Sequence, residues 1–168
     1  MELALFVVLA VIAVIAAAGV VLSKKAVTSA LFLLLNFCTL AGLYLLLNAQ
    51  FIAVVQVIIY AGAIVVLFLF VVMLLSPGKE EGLDRKPYTK IFAVFLAVLM
   101  LLEVGYVLFT GVLGGTSGQY TPEKIAEVGN VQAIGQVLFT DFLLPFELAS
   151  VLLLVGIVGA VVLAKREL

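Results

Sequence analysis

Side chains able to do chemistry are sparse in this sequence, and the ones that stand out lie inside apolar runs. Within Phe51–Leu75, helical spacing puts Gln56, Tyr60, Ala63 and Leu67 on one face, so a single stripe carries an amide, a phenol and a small residue. That stripe should face protein, not lipid. Beside it, Ala61-Gly62-Ala63 allows a neighbouring helix to come close, as small residues do in membranes. The chemistry open to such a stripe is hydrogen bonding to water or to a partner helix, since an amide cannot itself take up and release protons. Two carboxyls complete the set. Glu103 lies near the middle of the run Ile91–Leu113, where a charged carboxylate costs about 2.5–3.5 kcal/mol on insertion scales. No Lys or Arg stands inside a span to neutralise it. It therefore stays protonated through desolvation, or meets another subunit or internal water, or is simply an acid hydrogen-bonded at a helix interface. Glu147 follows Pro145. A helix that starts near that proline would set the acid beside the positive end of its dipole.

Other chemistries lack their residues. Histidine is absent and Cys38 is the lone cysteine, which excludes an internal disulfide, a cysteine-only metal cage and the usual ligands of haem, zinc, copper and non-haem iron. Cys38 in an apolar helix is expected to be inert. A net charge of −1 and a pI near 5.3 argue against general affinity for nucleic acid. Asn36, Cys38, Thr39 and Ser150 are expected to form hydrogen bonds between helices, with Gly156 and Ala160 as a small-residue packing pair.

The elements that must position these residues follow from composition. Of 168 residues, 66% are apolar and 11% charged, and the mean hydropathy is +1.40. A soluble globule cannot be built from that, so the chain belongs in a lipid bilayer. A hydrocarbon core of about 30 Å needs about 20 helical residues. The runs Leu3–Leu22, Ala26–Leu47, Phe51–Leu75, Ile91–Leu113 and about Phe142–Ala164 meet that length. The expected fold is all-α, a single membrane domain over residues 1–168 with five transmembrane helices. Barrel strands would alternate in polarity, and these runs are apolar all round. The first run opens with Met1-Glu2 and no basic stretch, and is expected to stay in the mature protein.

Five crossings put the termini on opposite sides. One side then gathers Lys24, Lys25, Lys79, Arg85, Lys86, Lys90, Lys165 and Arg166, leaving only Lys124 opposite, which predicts N-terminus out and C-terminus in. Short turns make the first three helices antiparallel neighbours. Ser76–Lys90 reads as a solvated connector of mixed charge. In the outer loop, Gly114–Gly118 is flexible, Thr121-Pro122-Glu123 starts a short helix, and Val131–Phe142 is apolar enough to lie along the membrane surface. If straight, the third run spans about 37 Å and must tilt, protrude or hold an irregular turn, which Gly62 would accommodate at least cost.

The string Gln56-Val57-Ile58-Ile59-Tyr60-Ala61-Gly62-Ala63-Ile64-Val65-Val66-Leu67-Phe68 closely resembles the third transmembrane helix of the subunit J family of bacterial NADH-quinone oxidoreductase, respiratory complex I, the counterpart of mitochondrial subunit six. Independently, Ala133-Ile134-Gly135-Gln136-Val137-Leu138-Phe139 and Leu144-Pro145-Phe146-Glu147-Leu148-Ala149-Ser150 resemble the entry and first half of that family's fifth helix. The resemblance extends over all five spans. It implies a subunit of the bacterial inner membrane that carries no cofactor, with NADH, FMN, iron–sulfur clusters and quinone held by other subunits. It implies a place in the membrane arm, against a neighbouring small subunit and the quinone-site subunit, before the antiporter-like subunits. It also implies a π-bulge near Tyr60–Val66, involving Tyr60, Ala61, Gly62, Ala63, Val66 and Leu67. That bulge would switch to regular α-helix and turn the later half, so that Leu67 or Phe68 blocks or opens a proton-carrying water path. Some relatives carry a carboxylate where this chain has Gln56, so a protonation role there does not transfer. The competing functions are a purely structural packing subunit and a component of a related cation/proton antiporter. The antiporter reading needs ionisable residues in several spans, of which this chain has two.

Overall fold

The computed structural model describes residues 1–75, 87–110 and 120–165, and among them every regular element is a helix. Helix α1 spans Glu2–Leu22 and α2 spans Ala26–Leu46. Both are apolar on every side, so their association cannot rest on hiding an oily face from water; lipid would serve that face as well. It rests on close approach and hydrogen bonds. Ala16 and Ala30 are fully buried, and the Phe32 ring fills the notch at Gly19, where a Cβ would stand 2.6 Å from it. The Asn36 amide donates to the Ala13 carbonyl at 2.8 Å, and the Ser29 hydroxyl to the Val20 carbonyl at 2.6 Å.

The turn after α2 has a definite cause. Asn48 adopts φ 58°, a left-handed conformation that asparagine tolerates better than most residues. Its N–H bonds to the Leu45 carbonyl at 3.1 Å, and that of Ala49 to Tyr44 at 2.9 Å, the paired bonds of a Schellman stop. Helix α3 follows as Gln50–Leu75 and returns along α2, which lies between α1 and α3.

Helix α4 spans Pro87–Thr110, so it begins ahead of the expected Ile91 and takes in Lys90. The rest of the connector, at 76–86, and the glycine-rich stretch lie outside the described residues. A short helix, α5 (Pro122–Val128), starts as the sequence suggests: the Thr121 hydroxyl accepts the Lys124 N–H at 3.4 Å and proline takes the first turn. Gly129, at φ 95°, then breaks the direction. Helix α6 (Asn130–Phe139) lies against the start of α3, and α7 (Leu143–Ala164) against α6, with Phe139 and Phe146 edge to face at 5.1 Å. Among the described residues, α4 rests against no other helix.

Five helices, Glu2–Leu22, Ala26–Leu46, Gln50–Leu75, Ile91–Thr110 and Leu143–Ala164, are long and apolar enough to cross a membrane. Among the described residues the buried apolar ones are small, Ala16, Ala30, Ala41, Ala53, Ala61, Val65 and Ala133, and Thr39 and Gln56 are the polar members. Alanine seams of this kind are how membrane helices gain contact without a hydrophobic drive.

Candidate functional site

Helix α3 is not wound uniformly. It is α-helical over Gln50–Val55, and the Gln56 N–H reaches the Ile52 carbonyl four residues back. Over Gln56–Ile64 the winding is π, and at its end the Val65 N–H reaches the Tyr60 carbonyl, five residues back. Val65–Leu75 is α-helical again. The wide segment includes Tyr60 to Ile64, yet it starts before and ends short of the Tyr60–Val66 stretch singled out in the sequence.

Burial follows this winding. Along α3 the buried residues are Ala53, Gln56, Ala61 and Val65, separated by three, five and four positions. In a regular helix Ala61 would stand about 140° around from Gln56, on nearly the opposite side. One extra residue in the wide turn brings the two into line against α2.

The expected stripe is corrected by the same geometry. Gln56 is buried, but Tyr60 is 44% exposed, Leu67 63%, and Ala63 is exposed as well. Those positions were grouped on a period of 3.6, and the extra residue carries everything beyond Gln56 out of that register. Val66 also points away from the chain's interior. Tyr60 still touches α2, its ring meeting that of Phe37 edge to face at 5.5 Å and 72°. A regular winding would return Tyr60, Ala63 and Leu67 to the face of Gln56 and turn Ala61 and Val65 off it.

Gly62 eases the wide turn. A Cβ at this position would stand 3.3 Å from the Val57 carbonyl oxygen, five residues back. A side chain there would make that oxygen give by a few tenths of an ångström.

The two carboxyls lie elsewhere. Glu103 is exposed on α4, away from the described helices. Glu147 is exposed on α7, which starts at Leu143; Pro145 falls in the first turn and Glu147 beyond it. The acid is therefore further from the dipole's positive end than the sequence suggests, and its carbonyl accepts the Ser150 hydroxyl at 2.7 Å. Of the residues expected to bond between helices, only Asn36 is found doing so among the described residues. Thr39 bonds back to the Asn36 carbonyl at 2.7 Å, Ser150 to Glu147, and Cys38 is exposed. Short hydroxyls reach carbonyls three or four residues back more easily than a facing helix.

Sequence reasoning missed Asn130. Its side-chain oxygen accepts the Phe51 N–H at 3.1 Å, across 79 positions, at the end of α3 that precedes the wide turn. The available signal was the run Asn48-Ala49-Gln50, in which alanine, unable to cap, stands immediately before the helix. Beside Asn130, an apolar cavity of about 260 Å³ is lined by Tyr120, Ile125, Ala133, Ile134, Val137, Leu138 and Phe142. On α5, the Glu123 carboxyl is held below the usual carboxylate range by its own backbone N–H and then by the Thr121 hydroxyl. Among the described residues, no three His, Cys, Asp or Glu side chains are placed to hold a metal ion.

Residues 16–163 match the sequence family described as NADH-ubiquinone/plastoquinone oxidoreductase chain 6. The chain is 43% identical to NAD(P)H-quinone oxidoreductase chain 6 of Nostoc sp., over 96% of its own length and 78% of the relative's. It is 40% identical to F(420)H(2) dehydrogenase subunit J of Methanosarcina mazei, over 99% and 93%. It is 34% identical to NADH-quinone oxidoreductase subunit J of Rickettsia bellii, over 92% and 76%.

Proposed function

The chain belongs to the NADH-ubiquinone/plastoquinone oxidoreductase chain 6 family, and on that premise we propose that it is a membrane-arm subunit of a proton-pumping quinone oxidoreductase whose third helix gates a water path. The observation that carries this reading is the five-residue gap between buried Gln56 and buried Ala61. A helix with one residue too many for its contacts has a second, regular winding within reach. The change rotates everything after the turn by about 100°. Ala61 and Val65 leave the α2 face, Tyr60 and Ala63 enter it, and Leu67 and Phe68 sweep across the adjacent space. Small and bulky side chains thereby trade places beside a buried amide, which opens or closes a thread of water without displacing the helix axis.

This chain contributes no redox group to that cycle. With no histidine and one cysteine it lacks the ligand set of an iron–sulfur cluster, and flavin and quinone are assigned with the clusters to other subunits. The relatives' names carry NAD(P)H, NADH and F(420)H(2), so this subunit does not write the electron donor; NADH is the donor proposed here. The partners are the quinone-site subunit and a neighbouring small membrane subunit. Any group that answers Glu103 comes from such a partner or from water. The basic-residue asymmetry sets the N-terminus outside and the C-terminus inside a bacterial plasma membrane, within which the chain forms one unit.

Gly62→Val in the assembled complex tests the gate against a pure packing role. The branched side chain crowds the Val57 carbonyl in the wide form, which must give by a few tenths of an ångström, and so biases the helix toward the regular form. The expected result is normal assembly and donor-to-quinone electron transfer, with proton translocation per electron reduced several-fold. Full coupling rules the gate out, and failure to assemble favours packing.

A further inference from the structure

A winding change inside a helix fixes only the relative rotation of its two ends, so something must decide which end turns. The structure places that device at the start of α3. The Schellman stop at Asn48 leaves Ala49 as the residue before the helix, and its methyl group cannot accept a hydrogen bond. The Ala49 carbonyl takes the Ala53 N–H at 3.0 Å, while the N–H groups of the first turn remain to be answered. The Phe51 N–H, second in the helix, is the group a capping side chain would normally take. It is taken instead by the Asn130 side-chain oxygen at 3.1 Å.

The placement of Asn130 is itself fixed by the chain. It opens α6 directly after Gly129, whose φ of 95° is open to glycine and whose absent Cβ would run into the Gln132 amide oxygen. One turn further on, Ala133 is buried, and α6 packs against the first segment of α3. The segment Gln50–Val55 is thus held by α2 on one side and capped by α6.

We propose that Asn130 is a positioning residue: it caps α3 from another helix and pins its first segment, so that the change of winding at Gln56–Ile64 is expressed as rotation of Val65–Leu75. Resting on the gate reading above, this adds what makes the gate directional. Without the cap, the first turn can rotate or fray and absorb the change before it reaches Leu67.

The test uses the assembled complex. Nitroxide labels are placed in separate samples at exposed Ile52, before the wide turn, and at exposed Val71, after it. With Asn130 intact, donor and quinone should alter the Val71 spectrum and leave Ile52 unchanged. In Asn130→Ala, Ile52 should become mobile and protons translocated per electron should fall roughly twofold or more, with quinone reduction retained. Asn130→Asp keeps an acceptor oxygen and should restore both readouts, whereas Asn130→Ser, too short to reach, should repeat the defect and serves if the alanine variant does not assemble. An unchanged Ile52 spectrum with full coupling in the alanine or serine variant overturns the proposal. If Gly62→Val uncouples and the Asn130 variants do not, the pin alone fails; if Gly62→Val pumps fully, the gate itself fails.

Discussion

Gln56 and Ala61 share the buried face of the third helix although five positions separate them, a spacing that only a turn with one additional residue can satisfy. The side chains brought into line are an amide and a methyl group. Those turned outward, Tyr60 and Leu67, are the ones a regular helix would have turned inward.

Asn36→Leu removes the amide that ties α2 to α1 through the Ala13 carbonyl. Hydrogen bonds between membrane helices contribute about 0.6 kcal/mol on average and about 1.7 at most. A loss of stability in that range is expected when the complex is unfolded in mild detergent, with pumping per electron unchanged. A coupling defect would mean that α1 takes part in the gate.

Gly129→Ala forces a side chain into a left-handed turn and against the Gln132 amide. The Gln132 amide, the end of a flexible side chain, can swing aside, so the cost of about 1 kcal/mol or more is that of the backbone conformation, and its relief shifts the start of α6. Because Asn130 moves with α6, amide exchange at Phe51 should accelerate. Unchanged protection there would show that the cap does not depend on this turn.

The regular parts of the architecture were legible in the sequence because the bilayer leaves little choice. Apolar runs long enough to cross must be helices, and a short link such as Asn48-Ala49-Gln50 forces antiparallel neighbours. What was not legible has physical reasons. The length of the third span and its resemblance point to an irregular turn near Gly62, but composition does not fix which side chains that turn carries outward, so a period of 3.6 groups Tyr60, Ala63 and Leu67 with Gln56. The Asn130 cap depends on a partner 79 positions away. Thr39 and Ser150 are expected to bond to facing helices, but their hydroxyls reach carbonyls three residues back on their own.

Glu123 supplies a pH-dependent element outside the spans. Its folded-state value is lowered from 4.5, first by its own backbone N–H and then by Thr121. A carboxyl lowered on folding contributes stability that is present above the unfolded value and lost as pH falls through the folded one. Carboxyl carbon shifts should therefore titrate below 4.5, and Thr121→Ala should move the midpoint upward. No upward movement would remove Thr121 as a cause.

The central claim is that α3 works by gaining and losing its wide turn, and deletion of Ile59 tests it most directly. Ile59 is 46% exposed, and removing it leaves Ala53, Gln56, Ala61 and Val65 separated by three, four and four positions, the spacing of a regular helix. Every buried contact with α2 is then satisfied without the wide turn, and no second winding is offered. The measurement is proton translocation per electron in complexes carrying the deletion, with α3 seen to be regular in a density map. The prediction is intact assembly and quinone reduction with pumping largely abolished; full pumping through a permanently regular helix would contradict it.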